Sequence, residues 1–143
     1  MNILTNISNF KWNLEWILSH KLDDERLEKL DIGKQYNDEI FVQHPVYTDY
    51  YVSQYSRIIS LKRDTETLIK QIPLNSEYLS CTLCKNGSRN PMGIHRIVAD
   101  VFCPNFWTDK NPDKARLEVH HVDKNRCNNN YTNLVLLPQK LHA

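Results

Sequence analysis

The stretch that decides the fold runs from Leu117 to His142 and reads LEVHHVDKNRCNNNYTNLVLLPQKLH. It opens with an apolar-alternating run over residues 117–122, which predicts a short strand. A polar loop follows over residues 123–132, and four of its ten residues are asparagine. A second apolar run, residues 134–137, predicts another strand, and Pro138 suits the first turn of a helix. The expected order is therefore strand, loop, strand and helix start.

Three histidines and one asparagine carry the candidate chemistry of this stretch. His120 and His121 are adjacent on the predicted strand, so their side chains point to opposite faces and cannot have the same role. One can face a metal, with His142 folded back against His120, while the other faces a water or a substrate. Neutral imidazoles are common metal ligands, an unligated histidine can act as a base, and the Asn133 amide can pin the loop or orient that base. Two ligands and a separate base fit metal-assisted hydrolysis of a phosphodiester.

Residues 120–134 resemble the HNH endonuclease family, and specifically its phage homing-endonuclease branch. The family pattern, roughly H-H-I-D-G-N-K-x-N-N-R-x-E-N-L, overlays them without a gap. The resemblance implies that His121 is the general base and Asn133 the middle asparagine of the catalytic set. It also implies that His120 and His142 are metal ligands. The intervals of 12 residues from His121 to Asn133 and of 9 from Asn133 to His142 are the usual ones in that family.

Two positions depart from the family pattern. Lys124 stands where the family usually has glycine, so the tight turn must be made differently. The sequence stops at Ala143, which leaves less than two helical turns after Pro138 to complete the ββα-metal unit. Because a helix of that length is not stable alone, we expect a truncated final helix, weak metal binding and low activity.

Composition places the chain among soluble globular proteins, with 143 residues, 41% hydrophobic and 24% charged. No apolar run approaches the ~20 residues that cross a bilayer, and no signal-peptide pattern opens the chain. The expectation is a cytoplasmic protein of a bacterial host or phage, with no membrane partner. Residues 1–45 carry five Lys/Arg and eight Asp/Glu, whereas residues 46–143 carry thirteen and nine. This asymmetry indicates that the later part faces an anion.

The first 38 residues are predicted to form a helical extension. Leu14 and Ile17 follow helical spacing, Trp12 and Trp16 are an i,i+4 pair, and Asp23 or Asp24 could cap a second short helix. The segment could pack on its own chain or dock a protein partner, because tryptophan is enriched at interfaces. Apolar spacing of this kind favours packing on the chain itself.

Residues 39–93 are predicted to form a small β-rich DNA-binding region. Residues 50–61 resemble the modular motif that precedes HNH units in phage enzymes, whose core reads Y-x-V-S-N-x-G-R-V-x-S-L. Gln54 and Ser56 replace the expected asparagine and glycine, so the turn is less ideal than in the family. Asn86-Gly87 is the strongest short signal for a hairpin, here over residues 78–89.

The same region is rich in basic residues: residues 57–96 contain seven Lys/Arg and three Asp/Glu. A strand pair with these cations on one side would contact the phosphates of double-stranded DNA. The alternative is a solvated charged face. The candidate DNA-binding residues are Arg57, Lys62, Arg63, Lys85 and Arg89.

Residues 94–143 are predicted to hold a helix, a loop and the HNH nuclease unit. Apolar residues from Ile94 to Phe102 recur at helical spacing before Pro104, and residues 95–102 match the family's H-R-L-V-A-x-x-F helix. A structural zinc site on the four cysteines is disfavoured. Cys81 and Cys84 lie an odd interval apart on a predicted strand, so they point to opposite faces, and the other two form no second knuckle.

The predicted fold is α+β, and the predicted function is metal-dependent DNA cleavage through an HNH motif. Mg²⁺ is the metal that the resemblance implies, and two imidazoles would also accept Mn²⁺, Zn²⁺ or Ni²⁺. Three alternatives stay open. The chain could be a catalytically inactive DNA-binding or structural, virion-associated protein, a zinc-stapled interaction module, or a subunit whose final helix comes from a partner.

Overall fold

The computed structural model describes residues 13–62, 65–74, 77–103 and 117–138. Helices and small antiparallel sheets are mixed along this part of the chain, which confirms the predicted α+β class. None of the described helices is long and apolar enough to cross a bilayer. The described helices are α1 (Leu14–His20), α2 (Asp24–Glu28) and α3 (Ile94–Phe102).

The described strands form three separate antiparallel sheets, each ordered as in the sequence. The first sheet contains β1 (Phe41–Gln43), β2 (Tyr50–Ser53), β3 (Ile58–Ser60) and β4 (Thr67–Leu68). The second contains β5 (Ile72–Leu74), β6 (Tyr78–Lys85) and β7 (Ser88–Gly93). The third contains β8 (Leu117–His121) and β9 (Leu134–Pro138).

Helix α3 lies at the centre of the fold. Its residues Ile94, Ile97, Val98, Val101 and Phe102 are fully buried, as their helical spacing predicts. The helix contacts α1 and strands of all three sheets. Residues from each of the three predicted segments therefore share one hydrophobic core, and the boundaries at 38/39 and 93/94 stay a prediction.

The N-terminal helices pack on the rest of the chain. Ile17 is fully buried, the Trp16 indole N–H donates to the Gln43 carbonyl at 2.8 Å, and the Asn13 N–H donates to the Phe102 carbonyl at 2.9 Å. Asp23 caps α2 by accepting from the Arg26 N–H at 2.7 Å. These contacts favour intramolecular packing over a docking surface for residues 13–28; Trp12 lies outside the described residues.

Tight turns occur where glycine, or asparagine with glycine, is expected. In the β6–β7 hairpin, Asn86 and Gly87 have φ of 51° and 81°, the geometry that this dipeptide favours. Ser56 has φ of 69°, so the serine adopts the left-handed conformation for which the related motif uses glycine. Gln54 supports this turn, because its buried amide accepts from the Ile40 N–H at 2.9 Å and donates to the Asp38 carbonyl at 2.6 Å.

A buried ion pair braces the same turn and changes the role expected for Arg57. The Arg57 guanidinium pairs with the fully buried Glu39 carboxylate and donates to the Gly33 carbonyl at 2.7 Å. Ser53 Oγ also donates to Glu39, at 2.6 Å. Phe41 lies beneath the guanidinium, with its ring centroid 5.2 Å away. Arg57 is thus oriented into the protein, because a buried carboxylate needs a charged partner.

Replacing Arg57 by alanine should lower the free energy of unfolding by about 3–5 kcal/mol, because Glu39 would remain buried without its charged partner. Urea denaturation of the two proteins measures this difference. Lys29→Ala is the control, since Lys29 pairs with Glu25 on the surface, where its side chain is 73% exposed. The control should change stability little.

Adding Glu39→Gln to Arg57→Ala should recover part of the loss, because the unpaired charge is then removed. A loss for Arg57→Ala no greater than that for Lys29→Ala would contradict a structural role for the pair.

Candidate active site

The two strands β8 and β9 hold the histidine pair in a fixed register. His120 lies opposite Val135, and His121 lies opposite Leu134, so the predicted strand–loop–strand order is confirmed. The prediction for Pro138 is wrong: Pro138 ends β9 opposite Leu117 instead of starting a helix. Proline can occupy the end of an edge strand because no further ladder hydrogen bond is needed from its nitrogen.

The His121 imidazole is buried and held by an asparagine of the loop. Its side chain lies at 7% exposure, and its Nε2 is 2.9 Å from Asn129 Oδ1. Because the carbonyl oxygen of an amide only accepts, Nε2 carries the proton and donates to Asn129. Nδ1 is then the ring nitrogen with a lone pair when the imidazole is neutral. This hydrogen bond favours the tautomer protonated at Nε2.

Asn133 pins the loop, which is one of the two roles its amide could have taken. Asn133 Oδ1 accepts from the Asp123 N–H at 3.0 Å, and Nδ2 donates to Asp123 Oδ1 at 2.8 Å and to the Asn128 carbonyl at 2.9 Å. Its backbone carbonyl also accepts from the Val122 N–H at 2.8 Å. Orientation of the imidazole depends instead on Asn129, which no pattern in the sequence singles out.

The start of the loop is a tight turn that depends on a carboxylate. The pKa of Asp123 is lowered by three hydrogen bonds to its carboxylate. The largest effect comes from the Asn128 side chain, and smaller ones come from the Asn125 N–H and the Asn133 side chain. The carboxylate is therefore ionised at neutral pH and accepts all three bonds. Lys124 has φ of 64°, so a lysine occupies the left-handed position for which the family uses glycine.

A polar cleft of about 610 Å³ opens over the histidine pair. Its walls are lined by β8, by the start of β6 and by the loop cations Lys124 and Arg126. Both His120, which is half-buried, and His121 border this space. At the rim, Arg126 pairs with Glu77 and lies over the Tyr78 ring, 5.3 Å from its centroid. The cleft therefore combines a buried imidazole with positive charge at its mouth.

A third histidine packs against the site. The His95 ring, on the first turn of α3, lies 5.4 Å from the His121 ring and 5.1 Å from that of Tyr78, measured between ring centroids. The pKa of His95 is lowered to about 4, mainly by burial and to a smaller extent by the charges of His121 and Arg96. In the sequence, only the match of residues 95–102 to the family's helix motif pointed to His95. Its spacing gave no reason to expect contact with residues 120–134.

The five predicted DNA-binding residues do not form one face. Arg57 is oriented inward onto Glu39, and Arg63 lies outside the described residues. Lys85 and Arg89 are both exposed near the hairpin tip, but Lys85 pairs with Ser88 and Arg89 with Cys84. Cross-strand partners share a face, and successive positions alternate, so these two cations lie on opposite faces of the hairpin.

Lys62 is exposed elsewhere, beside a shallow cleft of about 370 Å³ that also borders Ser60, Thr65 and Thr67.

The metal-binding prediction is only partly covered by the described residues. His120 borders the cleft, whereas His142 lies outside them. Within ranges 13–62, 65–74, 77–103 and 117–138, no three His, Cys, Asp or Glu side chains are grouped so as to hold a metal. Cys81 is buried and Cys84 half-buried on β6, three residues apart, as expected for opposite faces of a strand.

Known proteins similar to this chain come from phages and a giant virus. The DNA endonuclease I-HmuI of Bacillus phage SP01 is 34% identical over 94 residues, which are 66% of this chain and 49% of that protein. The H-N-H endonuclease F-TflII of Escherichia phage T5 is 29% identical over 104 residues, 73% and 50% of the two chains. An uncharacterised HNH endonuclease, L245 of Acanthamoeba polyphaga mimivirus, is 32% identical over 89 residues, 62% and 24% of the two chains.

A solved structure of the HNH homing endonuclease I-HmuI, concerned with its DNA binding and cleavage, matches the fold. The TM-score is 0.58 and the identity 28%, over 71% of this chain and 53% of that one. No family model matches the chain. The chain spans about half the length of the two phage relatives. The chain is therefore similar in sequence and fold to HNH endonucleases, which confirms the resemblance.

Proposed function

We propose that this chain carries the catalytic unit of a metal-dependent DNA endonuclease, with His121 as the general base. The observation that carries the proposal is the hydrogen bond from His121 Nε2 to Asn129 Oδ1 in a cleft that His120 also borders. A buried imidazole with one nitrogen committed to an amide oxygen presents its other nitrogen as a base. The names of the phage relatives, a DNA endonuclease and an H-N-H endonuclease, agree with this chemistry.

In the proposed reaction, His121 Nδ1 accepts a proton from a water that attacks the phosphorus of a DNA phosphodiester. Asn129 stabilises the resulting imidazolium, because its oxygen continues to accept from Nε2. Asn133 and Asp123 keep the loop closed beneath the base, so the distance between base and water is set before substrate binds. Arg126 and Lys124 at the cleft attract the phosphate backbone.

His120, a half-buried residue that borders the cleft, would supply one imidazole ligand to a divalent metal. His120 and His142 would hold the ion. We propose Mg²⁺ because the HNH resemblance implies it, although two imidazoles also accept Mn²⁺, Zn²⁺ or Ni²⁺. When bound, such an ion stabilises charge on the phosphate and on the leaving 3′ oxygen. The side chains of His120 and His121 leave β8 on opposite sides, so each takes one of the two roles at the edge of the cleft that both residues border.

For the DNA partner, we propose a narrower set of contacts than the five cations expected from the sequence. Lys62, Lys85 and Arg89 are exposed and can reach phosphates. Arg57 could reach DNA only by leaving the buried Glu39 carboxylate uncompensated, which would cost several kcal/mol. We therefore assign Arg57 to the scaffold and keep Arg63 as a proposed contact.

Replacing His121 by alanine should slow plasmid cleavage by about 10²–10⁴-fold, because a general base contributes on that order. Cleavage is measured with Mg²⁺ or Mn²⁺ and with a chelator, and DNA affinity should stay nearly constant. His20→Ala is the matched control: His20 stacks on Trp16, far along the chain from the cleft, and its loss should leave the rate unchanged. A loss below tenfold for His121→Ala, with metal still bound, would remove His121 from the role.

Replacing Lys85 and Arg89 together by glutamine should weaken binding to DNA of any sequence. Each lost phosphate contact should reduce the slope of log affinity against log salt concentration by roughly 0.9. Fluorescence anisotropy over a range of salt measures the slope. Lys29→Gln, on the acidic N-terminal segment, should leave it unchanged. An equal slope in the double variant and the wild type would show that these two cations do not touch DNA.

A further inference from the structure

Three aromatic rings from three different elements meet at the proposed active site, and one of them is the proposed base. Tyr78 begins β6, His95 lies in the first turn of α3, and His121 ends β8. The ring centroids are 5.1 Å apart for Tyr78 and His95, 5.4 Å for His95 and His121, and 6.3 Å for Tyr78 and His121. These spacings are those of packed aromatic side chains, so each ring limits the movement of the other two.

The place of His95 in this group depends on a glycine two residues earlier. A Cβ built on Gly93 would lie 2.8 Å from His95 Nδ1 and still closer to Cε1. A real Cβ cannot occupy that space, so any other residue at position 93 would displace the imidazole. Gly93 has an ordinary extended conformation, with φ of −67°, so the close approach of the ring, and not backbone strain, explains the glycine.

His95 is poorly explained as a residue selected for stability. Its Nδ1 is buried and has no hydrogen-bond partner among the described residues. A buried polar atom without a partner costs folding free energy, and an apolar ring would avoid that cost. Burial also lowers the pKa of His95 to about 4, so the imidazole is neutral at pH 7 and packs on its neighbours as an uncharged ring.

The hydrogen bond to Asn129 leaves one degree of freedom of His121 open. A single bond at Nε2 fixes one atom of the ring, but the ring plane can still tilt about that atom. His95 packs on the ring with an angle of 54° between the planes, and Tyr78 packs with an angle of 51°. Both contacts oppose the tilt, and both residues come from outside the strand–loop–strand unit.

We propose that His95 is a positioning residue, whose ring, seated over Gly93, holds the plane of the His121 imidazole so that Nδ1 faces the substrate. The proposal rests on the role of His121 as base and adds to it a contact from helix α3. His95 need not exchange a proton in this role. A ring of similar size and shape should therefore replace it, whereas removal of the ring or its displacement should not be tolerated.

The test compares four variants of the chain in single-turnover cleavage and in DNA binding. His95→Ala removes the ring, and we expect the cleavage rate to fall by about 10- to 100-fold, as for a small misplacement of a reacting group, with DNA affinity within about twofold. His95→Phe should retain the rate within about threefold. Gly93→Ala displaces the ring without altering it and should act in the same direction as His95→Ala. Val98→Ala, in the buried core of the same helix, destabilises the fold and should leave the rate per folded molecule unchanged.

A second measurement does not depend on activity. The ¹⁵N spectrum of labelled histidine, recorded without DNA or metal, reports which His121 nitrogen carries the proton. A tilted ring no longer aligns its Nε2–H with Asn129 Oδ1, which weakens that hydrogen bond. We therefore expect a single tautomer, protonated at Nε2, in the wild type and in His95→Phe, and a mixture in His95→Ala and Gly93→Ala. Should His95→Ala fail to fold, Gly93→Ala and His95→Phe still make the comparison.

Three results would overturn the inference. One is a His121 tautomer that stays the same in His95→Ala and Gly93→Ala, and another is a cleavage rate that stays the same in both. The third is a loss in His95→Phe as large as that in His95→Ala, which would assign His95 a proton-dependent role instead of one in packing. An inactive wild type with the expected spectra would contradict the nuclease proposal and leave the positioning role supported.

Discussion

Burial of helix α3 is the constraint on which the rest of the structure depends. The helix presents apolar residues on most of its circumference, and six of its nine residues are buried. A helix of this kind must be covered on several sides, and here the cover comes from α1 and from strands of three separate sheets. The two-stranded sheet of β8 and β9 would be marginally stable at best without this packing. The helix thus brings the first sheet (β1–β4), the second sheet (β5–β7) and the third sheet (β8 and β9) into one core.

The site itself depends on polar side chains more than on apolar burial. Asn133 and Asp123 bind backbone groups of a loop that contains only the short 3-10 helix Tyr131–Asn133, and Asn129 binds the His121 ring. Buried polar groups are stable only when they are hydrogen-bonded, so this network specifies one loop conformation. The asparagine-rich composition of residues 123–132 follows from that need. It also places an amide oxygen against the His121 ring, where a mobile loop would leave the imidazole free to change tautomer.

Charge along the chain is not the same as charge available to a partner. Arg57 contributes to the positive balance of residues 46–143, but its guanidinium neutralises the buried Glu39. Lys85 and Arg89 remain exposed, on opposite faces of one hairpin. A nucleic-acid surface built from them would have to contact the hairpin at its tip. The net charge of +1 therefore says little about binding, whereas the position of each cation says more.

The sequence by itself determined the local elements and the core of the site. Periodicity identified α3, Asn86-Gly87 identified the hairpin, and the spacing within residues 120–134 identified the strand–loop–strand unit, because these features depend on neighbouring residues alone. Only the tertiary structure decided which side chains meet: that Asn129 and not Asn133 binds the imidazole, that Arg57 faces inward, and that His95 packs on His121. Such contacts join residues 8 to 26 positions apart in the chain, and no local preference of the backbone encodes them. Their partners are chosen by the packing of α3 against the sheets, which spacing in the sequence does not describe.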